Sequence, residues 1–204
     1  MVILVITTTM HYEAHTFTIP ELQGISSKQI EEHIKLYEGY VKHVNLIYNE
    51  LTELGQDPEK NAHLMQELRR RLGFEFNGMR LHELYFGDLE GGPKQISAET
   101  ALYSAIASQF GSWEKWLNSF KKIAARGSGW MLLNYDKEAK RFHNNWVTNH
   151  DVGQLATIPA VLALDFWEHA YMVDYLPSEK AKYIDAYLNN VNWENVARRF
   201  DGIS

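Results

Sequence analysis

Cysteine is absent from this chain. Its absence excludes disulfides, thiolate metal sites, iron–sulfur clusters and a cysteine nucleophile, so any metal must be held by His, Asp or Glu. No apolar run approaches the roughly 20 residues that span a bilayer, so no membrane partner is expected. Lys and Arg number 20 against 26 Asp and Glu, a formal charge of −6, and that balance argues against a nucleic-acid partner. The apolar start, Met1 to Ile6, carries no basic n-region and ends in Thr7-Thr8-Thr9. It is too short for a secretory h-region, so a cytoplasmic location is expected. Walker loops and a Gly-x-Ser-x-Gly elbow are missing, and Phe86 stands where a zincin motif at His82-Glu83 would need its second His. Without any Glu-x-x-His pair, a di-iron carboxylate bundle is disfavoured.

What is present is an ordinary globular mixture of 204 residues, 45% hydrophobic and 23% charged. Aromatics reach 13%, with six Trp and eleven Tyr, which predicts a dense aromatic shell or a large interface. Residues 1–23 read as an arm with Phe17, Ile19 and Leu22 as docking residues. Ser26 or Ser27 caps a helix, with Gln29 three residues after Ser26. Ile30, Ile34, Tyr37, Val41, Val44, Ile47, Tyr48 and Leu51 then recur every three to four positions, so the helix is amphipathic to about Leu54. A turn at Gly55-Gln56-Asp57-Pro58 leads to a second helix ending near Phe86, with weak points at Gly73 and Asn77-Gly78. Gly87 to Pro93 reads as a linker, dividing the chain into 1–90 and 91–204. Further helices start at Ser97–Thr100 and at Ser112, the latter ending at Arg126–Gly129. Trp130–Tyr135 and Arg141–Val147 read as a strand hairpin, Ile158–Leu164 as a third, buried strand, and helices resume near Ser178 and Trp193. The expected class is α+β: a long N-terminal helical hairpin, then a domain with a small three-stranded antiparallel sheet flanked by helices.

Nine His are present, and singly each is an ordinary structural or exposed residue. Asp165 differs, because it ends a run of apolar residues and is followed four positions later by His169. A carboxylate there is costly unless paired or metal-bound. Spacing alone leaves both readings open, a buried Asp–His hydrogen bond or a metal site.

The stretch Asp165-Phe166-Trp167-Glu168-His169-Ala170-Tyr171, followed by Asp174-Tyr175, resembles the iron/manganese superoxide dismutase signature D-x-W-E-H-A-Y. The resemblance extends to Phe110-Gly111-Ser112-Trp113, Gly127-Ser128-Gly129-Trp130 and Val191-Asn192-Trp193-Glu194-Asn195-Val196. In the first half, Ile25-Ser26 with His33 and Phe76-Asn77-Gly78 with His82 fit the family's two helical ligand patterns. It implies one iron or manganese ion per subunit held by His33, His82, Asp165 and His169, and superoxide as substrate. It also implies a homodimer, possibly a tetramer of such dimers, in which Glu168 bonds a partner's ligand His. Trp130 and Trp167 would form the aromatic wall, and Lys180 stands where the family places a cation near the entrance. A metal-holding dimer with little or no turnover is the alternative, and a hydrolase using another ion ranks below both.

Several positions depart from the family pattern. The amide that bonds the metal's solvent ligand is replaced by Gly78 on the helix and by His150 in the loop Asn149-His150-Asp151. The first helix has Tyr37 four residues and Tyr40 seven residues after His33, where the family has His at four and Tyr at eight. Spacings of four and seven put His33, Tyr37 and Tyr40 on one face of a regular helix with no inserted residue. Tyr40 is thus expected at the substrate gate, Tyr37 in place of the gate His, and His150 as the donor toward the site. Met172 replaces the Tyr that reaches a partner's gate His, and Phe86 and Leu132 replace wall Trp residues.

Overall fold

The computed structural model describes residues 11–204. Two long helices open the fold. Helix α1 (Ser27–Leu54) begins where Ser26 Oγ accepts the Gln29 N–H at 3.1 Å. It is α-helical throughout, without an inserted residue, as the spacing of His33, Tyr37 and Tyr40 predicts. Helix α2 (Ala62–Leu89) runs back along it as the second arm of a hairpin.

The expected weak points in α2 do not interrupt it, and it continues beyond Phe86 to Leu89, taking up the first part of the expected linker. Each helical Gly costs only roughly 1 kcal/mol relative to Ala. Burial of Met79, Leu81, Tyr85, Phe86 and Leu89 outweighs that.

The second half holds α3 (Ala101–Phe110), α4 (Trp113–Ala124), β1 (Trp130–Asp136), β2 (Arg141–Val147), β3 (Ala160–Asp165), α5 (Lys180–Asn190) and α6 (Trp193–Ile203). Thr100 caps α3 and Ser112 caps α4 through their hydroxyls. The sheet is antiparallel in the order β2-β1-β3. Central strand β1 starts at Trp130, which pairs with Val147 on one side and Asp165 on the other. That register sets the Trp130 indole beside the last residue of β3. One hydrophobic core runs through both halves, from Val41 and Val44 of α1 to Val196 and Phe200 of α6.

Two further features shape the site. Residues 11–22 cross the hairpin as a strap: Asn45 Oδ1 accepts the Tyr12 N–H and Asn45 Nδ2 donates to the Tyr12 carbonyl, both at 2.8 Å. Phe17, Ile19 and Leu22 are partly buried against the core, while the expected arm's first ten residues lie outside the described part. Arg71 and Arg199 are each drawn into an ion pair with a buried carboxylate. Arg71 pairs with Glu75 at 2.6 Å, and Arg199 pairs with fully buried Asp88 at 2.6 Å. Among the described residues, no helix is long and apolar enough to cross a membrane.

Replacing Asn45 with Ala should release the strap. The expected cost is about 1 to 2 kcal/mol in urea unfolding, with faster amide exchange at Tyr12. Unchanged exchange at Tyr12 would contradict the role given to Asn45.

Candidate metal centre

Four side chains from four separate stretches of chain converge where the hairpin meets the sheet. His33 comes from α1, His82 from α2, Asp165 from the end of β3 and His169 from the 3₁₀ turn that follows. Each offers one ligand atom, and these atoms all lie within 4.8 Å of one another. Asp165 Oδ2 is 3.1 Å from His33 Nε2, 3.0 Å from His169 Nε2 and 3.6 Å from His82 Nε2. Asp165, His33 and His82 are buried, while the His169 side chain is 31% exposed.

The electrostatics suit a cation. Burial alone would raise the Asp165 pKa, but the charge of His169 and hydrogen bonds from His169 and His33 hold it well below the usual carboxylate range. Burial pushes His33 down and, with His33 alongside, pushes His82 well down, so both imidazoles are neutral donors at neutral pH. Burial opposes His169, yet the Asp165 charge raises it. His82 Nδ1 donates to the Gly78 carbonyl at 2.6 Å, which leaves Nε2 as the lone-pair nitrogen; that atom is fully enclosed and has no hydrogen-bond partner. A buried carboxylate, neutral imidazoles and an orphaned ring nitrogen aimed at one point are what a bound first-row metal ion would satisfy.

An aromatic wall surrounds this point. Trp130 meets His82 edge-on at 5.0 Å between ring centroids, Phe86 meets His33 at 5.1 Å, and Trp167 stacks on His169 at 6.3 Å. Leu132 is wholly buried in β1.

Tyr40 and His150 line another side of this point. Trp130 Nε1 donates to His150 Nδ1 at 2.9 Å, and His150 Nε2 lies 2.8 Å from the Tyr40 hydroxyl. Indole N–H is a donor only, so Nδ1 must accept. Burial lowers the His150 pKa to about 4, so the ring is neutral and its proton sits on Nε2, donated to Tyr40. The Tyr40 proton is then free to point elsewhere. Burial, reinforced by the Asp165 charge, raises the Tyr40 pKa, so the phenol keeps that proton. The His150 loop is pinned by Asn77 Nδ2 on the His150 carbonyl at 2.9 Å. Gly78 makes the arrangement possible, because a Cβ there would lie 2.7 Å from the Tyr40 ring. The ring occupies the space in which a longer side chain at position 78 would stand.

Tyr37 takes another direction. It is fully buried, with its hydroxyl accepting the His15 N–H at 2.8 Å and lying 3.3 Å from Glu83 Oε1, and its ring stands between Phe17 and His82. Burial raises its pKa to about 12. It joins strap to hairpin and makes no hydrogen bond to Tyr40 or His150. Lys180 Nζ donates to the Gly127 carbonyl and sits 5.4 Å from the Phe166 ring centroid. Glu168 is exposed and accepts from Ser128 Oγ at 3.1 Å; Met172 is also exposed. Gln29, read from sequence only as a capping residue, is buried against the His169 backbone. No local pattern marks Asp88, a carboxylate whose partners lie on three other elements.

Three imidazoles and one carboxylate in an aromatic enclosure define a protein able to hold a single metal ion between a helical hairpin and a small sheet domain. Residues 98–199 match the family model for iron/manganese superoxide dismutases, C-terminal domain, and the chain belongs to that family. It is 38% identical over 184 residues to the superoxide dismutase [Fe] of Cupriavidus metallidurans, covering 88% of this chain and 90% of the relative. It is 35% identical over 185 residues to that of Aquifex aeolicus, covering 88% and 86%. The superoxide dismutase [Mn] 2 of Halobacterium salinarum is 38% identical over 128 residues, 62% of each chain.

Two outcomes follow from the gate geometry. Long-range ¹H–¹⁵N correlation should find the His150 proton on Nε2, and a proton on Nδ1 would contradict the Trp130 bond. Gly78→Ala should displace the Tyr40 ring and cost about 1 to 3 kcal/mol in chemical unfolding, as overpacking does; a neutral effect would mean the ring is not confined there.

Proposed function

We propose that this chain disproportionates superoxide to dioxygen and hydrogen peroxide, with one iron or manganese ion held by His33, His82, Asp165 and His169. The observation that carries this reading is the convergence of those four side chains, three of them buried, within 4.8 Å. An iron or manganese ion held by these four residues would supply the one-electron chemistry that dismutation needs. The protein's part is to hold that charge in a dry, preformed cage and to supply hydrogen bonds where the substrate arrives.

In this reading Tyr40 is the gate residue. His150 fixes its orientation and leaves its proton available to the reacting oxygen. Trp130, Trp167 and Phe86 exclude bulk water. Tyr37 stands behind His82 and anchors the strap. Lys180 is the candidate cation for drawing an anion inward, which the net charge of −6 makes worthwhile.

We also propose a homodimer. Glu168 has one protein partner within the described residues, His169 is partly open, and Met172, Val173 and Leu176 are exposed beside them. A second copy packed there would bring its Glu168 to this His169 and complete the bond that holds the ring. A cytoplasmic location and the division at 90/91 into hairpin and sheet domain complete the proposal.

The deciding experiment reads metal content and turnover on one purified sample. One iron or manganese per chain with fast dismutation is the expected result, and Asp165→Ala should remove both. Stoichiometric metal with negligible turnover, after reconstitution with either ion, would overturn the enzymatic reading. Glu168→Ala should shift the sedimenting species from dimer toward monomer; an unchanged dimer that keeps its metal would remove Glu168 from the interface.

A further inference from the structure

The four candidate ligands stand on four stretches of chain, and two buried polar side chains tie those stretches together in pairs. Gln29 lies one turn before His33 on α1 and is 1% exposed. Its Nε2 donates to the His169 carbonyl at 2.7 Å, and its Oε1 accepts the Val173 N–H at 3.0 Å. Asp88 lies less than two turns after His82 on the same unbroken helix and is wholly buried. It accepts the Ala163 N–H at 3.2 Å, the Tyr187 hydroxyl at 3.0 Å and Arg199 Nη1 at 2.6 Å.

The second cluster acts on the free edge of β3. That strand has β1 on one side only. On the other side Arg199 donates to the Val161 carbonyl, Tyr187 lies 2.9 Å from the Ala163 carbonyl, and Tyr183 donates to the Asp165 carbonyl at 2.7 Å. The Val161 and Asp165 carbonyls are thus satisfied by side chains of α6 and α5 where a neighbouring strand would otherwise stand, and the one Tyr187 proton is shared between Asp88 and the Ala163 carbonyl. Asp88 takes the one N–H among them that belongs to Ala163, two residues before Asp165.

Burial could be achieved more cheaply by apolar residues at positions 29 and 88. What the polar ones add is a set distance between elements that each carry a ligand. We propose that Gln29 and Asp88 are positioning residues of the metal site. Gln29 locks α1 to the His169 segment. Asp88, with Tyr187 and Arg199, locks α2 to β3. This rests on the ligand set proposed above. Partners that orient ligands in this way commonly change metal affinity by about 10- to 100-fold when removed.

The test titrates full-length apoprotein with Co(II) alone, reading affinity and the visible d–d spectrum, beside urea unfolding of the same apoprotein. Gln29→Leu and Asp88→Ala should each weaken cobalt binding by about 10- to 100-fold and alter the spectrum. Tyr187→Phe should weaken it less. Asp88→Asn, which keeps an acceptor for the Ala163 N–H, should recover part of the Asp88→Ala loss. Folded variants with wild-type affinity and spectrum, whatever their unfolding midpoints, would reduce both residues to structural roles and overturn the proposal. If Asp88→Ala does not fold, Gln29→Leu and Tyr187→Phe decide by the same readings. If the wild type takes up no cobalt, or Asp165→Ala binds it as tightly, the ligand set itself fails, and the proposal falls with it.

Discussion

Burial of the Asp165 carboxylate is the constraint on which the rest of the molecule depends. It ends an edge strand, has no exposure, and is ringed by three imidazoles. A bare carboxylate in that position would be strongly unfavourable without partners of opposite charge. The arrangement makes sense around a cation. His82 then presents a lone pair inward while its other nitrogen is bonded outward to the Gly78 carbonyl. Each ligand-bearing stretch must also be held at its distance. The long helices, the register of β1 on β3 and the turn after Asp165 all serve that end.

One small residue sets the position of two others beside the carboxylate. Without a side chain at Gly78, the Tyr40 ring settles against α2 and reaches His150. His150 in turn is oriented by the Trp130 indole, and Trp130 is placed by its pairing with Asp165. Tyr40, His150, Trp130 and the carboxylate are thus one connected structure. The tautomer of His150 follows from the indole being a donor only. A loop imidazole can therefore do what an amide would do in the same place: accept on one side and donate on the other. A regular α1 is part of this arrangement. With Tyr40 seven residues after His33, no inserted residue is needed to aim it.

Much of the fold was legible from local pattern. The recurrence of apolar residues along 30–51, the Ser caps before α1 and α4, and the strand hairpin around 130–147 all appear where periodicity and turn residues put them. So does the absence of an insertion in α1. The end of α2 was not legible, because Gly87 looks like a stop, whereas the packing of Phe86 and Leu89 carries the helix through it. The Arg199–Asp88 pair was not legible, because nothing near Arg199 in sequence announces Asp88, more than a hundred residues away. Tyr37 and Tyr40 share a helix face in any reading. Only the strap over one and Gly78 beneath the other separate their roles.

The amino-acid sequence by itself determined the chemistry available: no thiols, a carboxylate after an apolar strand, His residues at helical and turn spacing, and a motif shared with a metalloenzyme family. Those are short-range facts, set by residue type and by periods of two and 3.6 residues. Only the tertiary structure decided that His33 meets Asp165 across 132 positions, that His150 and Tyr40 bond, and that Gln29 and Asp88 bridge ligand-bearing elements. Contacts at that separation depend on how whole elements pack. Side chains with no local signature, such as Gln29 and Asp88, acquire their partners from the place to which that packing brings them.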